Sequence, residues 1–341
     1  MISIHIVPLL VAMFLAINMG GSGTAPTFSA AYGANLIRRE LIPGLFGIFV
    51  FFGAVVAGEK VIMTVGGDIL PSESVTMVLS VIVLSSVGLA LFFANLLHVP
   101  QSTSHATIFA LAGPALYMNI LQTHRLFFEI IPTWFVTPIL AFVIAYTIGK
   151  YVYLPLKDTF RPLLQWLSGQ KALRYFVIGT ACYVCFAIGS NNMANAAAPV
   201  LAMATNMLEI EPGSANFMLV MLILVFMLAP MFGIGSSLLG HKVLETTGKG
   251  IASFGPLGAS FISVITASLL LVSSLWRGIP TSLVQMNTAA IIALGMVKNG
   301  HVDIIRNAPL KKIFIIWLAA PLMAMALSLL LTYLADTLGF L

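Results

Sequence analysis

The sequence predicts an all-α polytopic membrane protein with two inverted-topology repeats that contain broken helices or re-entrant hairpins. Of its 341 residues, 60% are hydrophobic and only 8% are charged, whereas an ordinary soluble domain has about 25% charged residues. Several apolar stretches reach the roughly 20 residues that a helix needs to cross a bilayer. They lack the alternation of polar and apolar residues that a transmembrane β-barrel requires.

Eight apolar stretches are each predicted to form a membrane-spanning helix. They lie near 2–19, 42–63, 75–97, 127–149, 173–190, 215–240, 260–276 and 312–335. The first stretch lacks a basic start and a small-residue cleavage site, so we interpret it as a retained span and not as a signal peptide.

Four further apolar segments are dense in Gly, Pro, Ser and Asn. These segments are 20–35, 100–120, 189–207 and 279–297. At membrane depth, irregular backbone is tolerated only where protein buries it or where it lines a watery cavity. We therefore expect the functional site in these segments.

The longest polar stretch, 150–174, contains five basic residues and one acidic residue. Short basic loops remain in the cytoplasm under the positive-inside rule. The central loop is therefore predicted to be cytoplasmic in a multi-pass protein of the cell membrane. The same rule accounts for the net charge of +5, so no nucleic-acid partner is predicted, and the lipid bilayer is the expected surrounding.

Three motifs recur in the same order on both sides of this loop. The pairs are Gly20-Gly21-Ser22-Gly23 with Gly189-Ser190-Asn191-Asn192, Gly58-Glu59-Lys60-Val61 with Gly240-His241-Lys242-Val243, and Val99-Pro100-Gln101-Ser102 with Ile279-Pro280-Thr281-Ser282, at offsets of 169, 182 and 180. This order predicts an internal duplication with repeats at 1–149 and 175–341 and a linker at 150–174. The second copy is inverted if each half crosses the membrane an odd number of times. Composition does not decide this number, but transporter precedent favours inversion.

Paired segments interrupted by Gly and Pro are the best sequence indication of a transporter's midplane site. The transport core is predicted in 1–35, 98–120, 175–207 and 278–297. A helix that begins at Gly20 or Gly189 would present free amides and a positive dipole end to an anion. The alternative for these glycines is close helix packing through small residues.

Pro100 and Pro280 each precede hydroxyl residues, which is typical of a capped helix start. Such a start is a second source of donors for an oxyanion, and an ordinary cap facing water is its alternative. The predicted substrate-binding residues are Ser22, Gly23, Thr24, Ser102, Thr103, Ser104, Asn191, Asn192, Thr281 and Ser282.

The four interrupted segments contain no Asp or Glu. Sulfate is fully ionised near neutral pH and donates no hydrogen bond, so a site of neutral donors suits it. Phosphate is partly protonated and is best distinguished by an acceptor carboxylate, so sulfate is favoured. The sequence contains no recognisable set of nucleophile, base and orienting group. Cys182 and Cys185 are not accompanied by further ligands at the spacing of a metal site. No enzymatic activity, cofactor or metal is predicted.

These motifs resemble the inorganic phosphate transporter (PiT) family, and especially its sulfate-permease branch of the CysP type. The family signature Gly-Ala-Asn-Asp-x-x-Asn is similar to Gly189-Ser190-Asn191-Asn192-Met193-Ala194-Asn195. The family motif Pro-Val-Ser-Thr-Thr-His is similar to Pro100-Gln101-Ser102-Thr103-Ser104-His105. The resemblance covers both halves and implies inverted repeats, a homodimer and ion-coupled oxyanion uptake.

Phosphate members of the family carry aspartates, which the resemblance implies as sodium ligands, where this chain has Gly23 and Asn192. Because hard cations prefer carboxylate or carbonyl oxygen, this departure weighs against sodium coupling. A dianion that enters a negative cell needs more than one accompanying positive charge. Protons are the natural alternative, and histidine titrates nearest physiological pH.

We therefore predict a secondary active transporter for sulfate or a related oxyanion, coupled to protons. The predicted coupling residues are His105, Glu59 and Glu245, although a lone histidine in an apolar helix is more often a packing residue. The alternatives are a sodium-coupled inorganic phosphate symporter and an anion channel.

Overall fold

The computed structural model describes residues 6–96, 101–155, 171–240, 254–299 and 310–341, which form α-helices with no β-strand among them. The principal helices are α1 (Val7–Gly33), α2 (Ile42–Ala57), α3 (Glu59–Gly67), α4 (Met77–Leu96), α5 (Thr103–Tyr117), α6 (Thr123–Tyr153), α7 (Lys171–Met207), α8 (Ala215–Leu238), α9 (Gly255–Trp276), α10 (Leu283–Asn299) and α11 (Leu310–Thr337). Eight spans within the described ranges are long and apolar enough to cross a membrane. Each of them overlaps one of the eight predicted stretches, so the α-helical multi-pass class is confirmed.

The outer surface of the bundle is apolar. Phe226 is 69% exposed, Phe128 is 73% exposed and Trp276 is 76% exposed. Contiguous apolar surface of this kind is unfavourable in water, whereas contact with lipid tails carries no such cost. The bundle therefore presents a lipid-facing exterior, while its polar side chains are directed inward.

Two short helices, α5 and α10, begin inside the bundle with side-chain caps. The Ser102 hydroxyl accepts a hydrogen bond from the His105 backbone N–H at 3.3 Å, and Ser282 accepts from the Gln285 backbone N–H at 3.3 Å. Helices of 15 and 17 residues reach only about 23–26 Å, which is shorter than the roughly 30 Å hydrocarbon core. The predicted interruptions near 100 and 280 are thus confirmed as helix starts, whereas Pro100 itself lies outside the described residues.

The two other predicted helix starts are wrong, because α1 continues past Gly20 to Gly33 and α7 continues past Gly189 to Met207 without a break. In both helices, serine and threonine hydroxyls donate hydrogen bonds to backbone carbonyls of the preceding turn. Thr24 donates to the Gly20 carbonyl at 2.7 Å, and Ser190 donates to the Ala187 carbonyl at 2.8 Å. No free amides are therefore presented at Gly20 or Gly189.

Gly20 and Gly189 instead allow close helix crossings, one between α1 and α8 and the other between α7 and α2. At each crossing, a glycine of each helix lies against a backbone carbonyl of the other helix. The four pairs are Gly20 with Phe232, Gly235 with Ile17, Gly189 with Val50, and Gly53 with Phe186. A Cβ on any of these glycines would lie 1.9–2.1 Å from the facing carbonyl oxygen, so only glycine fits. Close packing, the alternative reading of these glycines, is correct.

The two crossings are counterparts of one another in sequence. Residues 17 and 20 of α1 correspond to 186 and 189 of α7 at an offset of 169, and residues 50 and 53 of α2 correspond to 232 and 235 of α8 at an offset of 182. These are the offsets of the first two repeated motifs. Other helices of the two halves also pack on each other. Helix α5 of the first half packs on α11 of the second, and α10 of the second half packs on α6 of the first. The contacts are those that a duplication requires.

Helix α4 runs antiparallel to α7. The Ser80 hydroxyl, near the start of α4, donates to the Pro199 carbonyl in the second half of α7 at 2.7 Å. The Asn206 side chain at the end of α7 donates to the Val75 carbonyl, just before α4, at 3.3 Å. The start of α4 therefore lies beside the end of α7.

Helix α9, in contrast, runs parallel to α7. Thr180 donates to the Ser260 hydroxyl at 3.3 Å, and further along both helices Asn191 donates to the Ser274 hydroxyl at 2.9 Å. The α4–α5 hairpin and the α9–α10 hairpin consequently enter the bundle from opposite ends. Inverted repeats would produce this arrangement, and both the inversion and the division into repeats at 1–149 and 175–341 stay predictions.

Candidate functional site

The first turn of α5 and the segment that directly precedes α10, which we call the two hairpin tips, meet in the interior of the bundle. The Ser104 hydroxyl on the first turn of α5 donates to the Thr281 carbonyl at 3.1 Å. Asn195 on α7 donates to the same hydroxyl at 3.4 Å. All of these polar groups are buried, so the tips, which are distant in sequence, form one polar centre in an apolar bundle.

A cavity of about 30 Å³ lies between these tips and the middle of α1 and α7. It is lined by eight of the ten predicted binding residues: Ser22, Gly23, Ser102, Thr103, Ser104, Asn192, Thr281 and Ser282. The structure therefore brings together all four interrupted segments, as the sequence predicts. Their contact with a substrate stays a prediction.

The lining of this cavity contains no charged side chain among the described residues. Its polar groups are hydroxyls and side-chain amides, and two helices begin at its wall. The first backbone N–H groups of a helix have no intrahelical acceptor, and the helix dipole makes this end positive. The arrangement can therefore bind an anion through neutral donors without a compensating cation.

Asn191 and Thr24, the other two predicted binding residues, lie outside the cavity lining, and their side chains make contacts within the protein; their contact with an anion stays a prediction. Asn191 donates to the Ile279 carbonyl at 3.1 Å and accepts from the Thr281 backbone N–H at 3.1 Å. It holds the tip of the α9–α10 hairpin against α7. The Thr24 hydroxyl is occupied by the backbone of its own helix.

Replacing Asn191 by alanine is expected to destabilise this tip and to reduce transport. The change leaves a buried N–H and a buried carbonyl without partners, each of which costs about 1–3 kcal/mol. The control is Asn206→Ala, because Asn206 also donates to two backbone carbonyls, at the exposed end of α7. The melting temperature in detergent should fall clearly more for Asn191→Ala, and equal melting temperatures would contradict the anchoring role.

Of the predicted coupling residues, His105 and Glu59 are described by the structure, and neither lines the cavity. His105 is buried and stacks on Trp134 with ring centroids 3.9 Å apart, and no described residue is a hydrogen-bond partner of its Nε2 atom. Trp134 in turn donates to the Pro280 carbonyl at 2.8 Å, which links His105 to the second tip. Glu59 begins α3 and is half-buried, and Glu245 lies outside the described residues.

Gln101 is the polar lining residue that the sequence-based prediction did not include. It directly precedes the Ser102 cap and is 5% exposed. The sequence did contain an indication of its position, because Gln101 is a polar residue at the start of a capped helix in an otherwise apolar segment. The motif comparison drew attention to the hydroxyls that follow it instead.

A group of ion pairs binds the second hairpin tip to one end of α6. Arg277 contacts Glu129 at 3.0 Å, and Arg125 contacts both Glu129 and Asp68. Arg125 also donates to the Arg277 carbonyl at 3.0 Å. Arg277 is thus paired outside the cavity and adds no charge to its lining.

Comparison with known proteins agrees with this geometry. A model of the phosphate transporter family matches residues 19–328. The chain belongs to the phosphate transporter family. It is 30% identical to the sulfate permease CysP of Bacillus subtilis over 324 residues, which cover 95% of this chain and 86% of the permease.

Two further comparisons concern phosphate. A putative phosphate permease of Methanocaldococcus jannaschii is 25% identical over 319 residues, covering 93% of each chain. A solved structure titled a sodium-dependent phosphate transporter superposes with a TM-score of 0.82 and 21% identity, covering 98% of this chain and 99% of that one. The second comparison establishes the fold, and the family membership places the chain among transporters.

Proposed function

We propose that this chain is a secondary active transporter of sulfate across the cell membrane and that protons drive the uptake. The observation that carries the proposal is a cavity inside the bundle, bounded by two helix starts, whose described lining contains neutral donors and no charged side chain. Sulfate needs donors only. A site that discriminates in favour of phosphate would be expected to contain a carboxylate that accepts the phosphate proton.

Asn192 and Gly23 support sulfate over phosphate. Both residues line the cavity at positions where the resemblance implies aspartates. Without those two negative charges, a dianion experiences less repulsion in an environment of low dielectric. The similarity to a sulfate permease at 30% identity is further support, whereas the similarity to phosphate permeases supports sodium-coupled phosphate uptake as the second candidate.

The hairpins suggest how access could alternate between the two sides. They enter from opposite ends and meet at the cavity, so separation of one tip from α1 and α7 would open the cavity toward one side only. We infer that the central loop is cytoplasmic and that the protein forms a homodimer. Native mass spectrometry in detergent and accessibility labelling of a cysteine introduced in the loop test these two inferences.

The substrate and the coupling ion are tested by uptake of labelled sulfate into proteoliposomes under an imposed proton or sodium gradient. We expect saturable uptake driven by a proton gradient and inhibited by thiosulfate or molybdate more strongly than by phosphate. Uptake that requires sodium and prefers phosphate would support the second candidate. Flux that saturates only at very high concentration and ignores both gradients would indicate a channel.

Ser102→Ala is expected to raise the half-saturating sulfate concentration about ten- to a hundred-fold. A hydrogen bond to a charged group contributes about 1.5–3 kcal/mol, and each 1.4 kcal/mol corresponds to a factor of ten. Because Ser102 also caps α5, Ser214→Ala is the matched control. Ser214 caps α8 by accepting from the Phe217 N–H at 3.2 Å and does not line the cavity. Similar uptake by both variants would contradict binding by Ser102.

A further inference from the structure

Gln101 has unmet hydrogen-bonding capacity in the wall of the cavity. Its side chain is buried, and neither Nε2 nor Oε1 has a hydrogen-bond partner among the described residues. A buried polar group without a partner costs about 1–3 kcal/mol, and such groups in native proteins call for an explanation. An apolar residue would fill the same space without this cost.

Other buried amides of the bundle differ from Gln101 in this respect. Asn195 also has an unpartnered oxygen, but its amide nitrogen donates to Ser104. Gln285, which follows the equivalent cap of α10, is half-buried, and only its oxygen is both buried and unpartnered; it does not line the cavity. Among the described residues, Gln101 is the amide with both polar atoms buried and unpartnered, and it lies beside the hydroxyls of Ser102 and Thr103.

We propose that Gln101 is a binding residue for the tetrahedral oxyanion and that its Nε2 amide donates a hydrogen bond to an oxyanion oxygen. The inference rests on the proposed transport function and adds a specificity determinant to it. An amide supplies N–H donors without a positive charge, in keeping with the rest of the lining. Binding of the anion gives the buried N–H group the acceptor that none of the described residues supplies.

Two substitutions of Gln101 separate binding from packing. Gln101→Leu removes the donor and keeps an apolar body of similar length. Gln101→Glu keeps the shape but replaces the donor with an acceptor. A carboxylate repels sulfate, whereas it can accept the proton of a hydrogen phosphate ion, so this variant tests the chemistry of the contact and not the volume of the side chain.

The measurement is equilibrium binding of labelled sulfate and labelled phosphate to the full-length protein in detergent, together with proteoliposome uptake. We expect Gln101→Leu to weaken sulfate binding about ten- to a hundred-fold. Gln101→Glu is expected to weaken sulfate binding more than that and phosphate binding less, which shifts the preference toward phosphate. Gln285→Leu, the matched control outside the cavity, should change sulfate binding less than three-fold.

Unchanged sulfate affinity in both Gln101 variants, with an active parent protein, would overturn the inference and leave the proposed function intact. The same conclusion follows if both variants lower the amount of folded protein while the remaining protein keeps its affinity for both anions. A parent protein that binds and transports neither anion would overturn the proposed function and the role of Gln101 together.

Discussion

Replacing Asn192 by aspartate is expected to reduce sulfate affinity at least a hundred-fold and to reduce phosphate affinity much less. Asn192 lines the cavity, and its side-chain oxygen is buried without a described partner. Two unit charges about 4 Å apart at an effective dielectric of about 20 interact by about 4 kcal/mol, and sulfate carries two. Phosphate can lower this repulsion by donating its proton to the carboxylate, but sulfate has no proton to donate.

Competition between labelled sulfate and unlabelled phosphate measures the two affinities of this variant. The matched control is Asn206→Asp, the same substitution at the exposed end of the same helix, which should leave the ratio of the two affinities unchanged. If Asn192→Asp keeps the parent ratio, the cavity is not the binding site. A variant that gains sodium dependence would in addition connect position 192 to the choice of coupling ion.

The fold was predictable because the bilayer imposes a simple rule on the sequence. Each span needs about 20 apolar residues, and the eight stretches that meet this rule are the eight spans of the structure. The short helices α5 and α10 were also predictable, since a serine cap has a local sequence signature. Both features depend on residues that are close together in the chain.

The roles of individual residues in the glycine-rich segments were less predictable. Glycine permits both an interrupted helix and a close helix crossing. The choice is decided by the partner of Gly20, which is the carbonyl of Phe232 and lies far away in sequence. Asn191 and Asn192 are adjacent, yet consecutive helix residues point about 100° apart, so one anchors a hairpin tip and the other lines the cavity.

Gly189→Ala is expected to destabilise the folded protein strongly and to lower its melting temperature. A Cβ at this position would lie 2.1 Å from the Val50 carbonyl oxygen, and neither backbone can move without separating α7 from α2. Overpacking of a protein interior typically costs about 1–3 kcal/mol and occasionally more. We expect a cost at the upper end or beyond, because the added atom meets backbone instead of a flexible side chain. Thermal unfolding of the detergent-solubilised protein measures the loss.

Gly179→Ala is the matched control, since Gly179 lies on the same helix and a Cβ there meets nothing within 4 Å. Alanine favours a helix over glycine by up to about 1 kcal/mol, so this variant should be as stable as the parent or slightly more stable. Gly20→Ala should be as damaging as Gly189→Ala, because the two glycines occupy equivalent crossings in the two halves. A tolerated alanine at either position would contradict the close crossing of that pair of helices. If only one position tolerates alanine, the two halves are not packed by the same contacts, and the helix crossings no longer support an internal duplication.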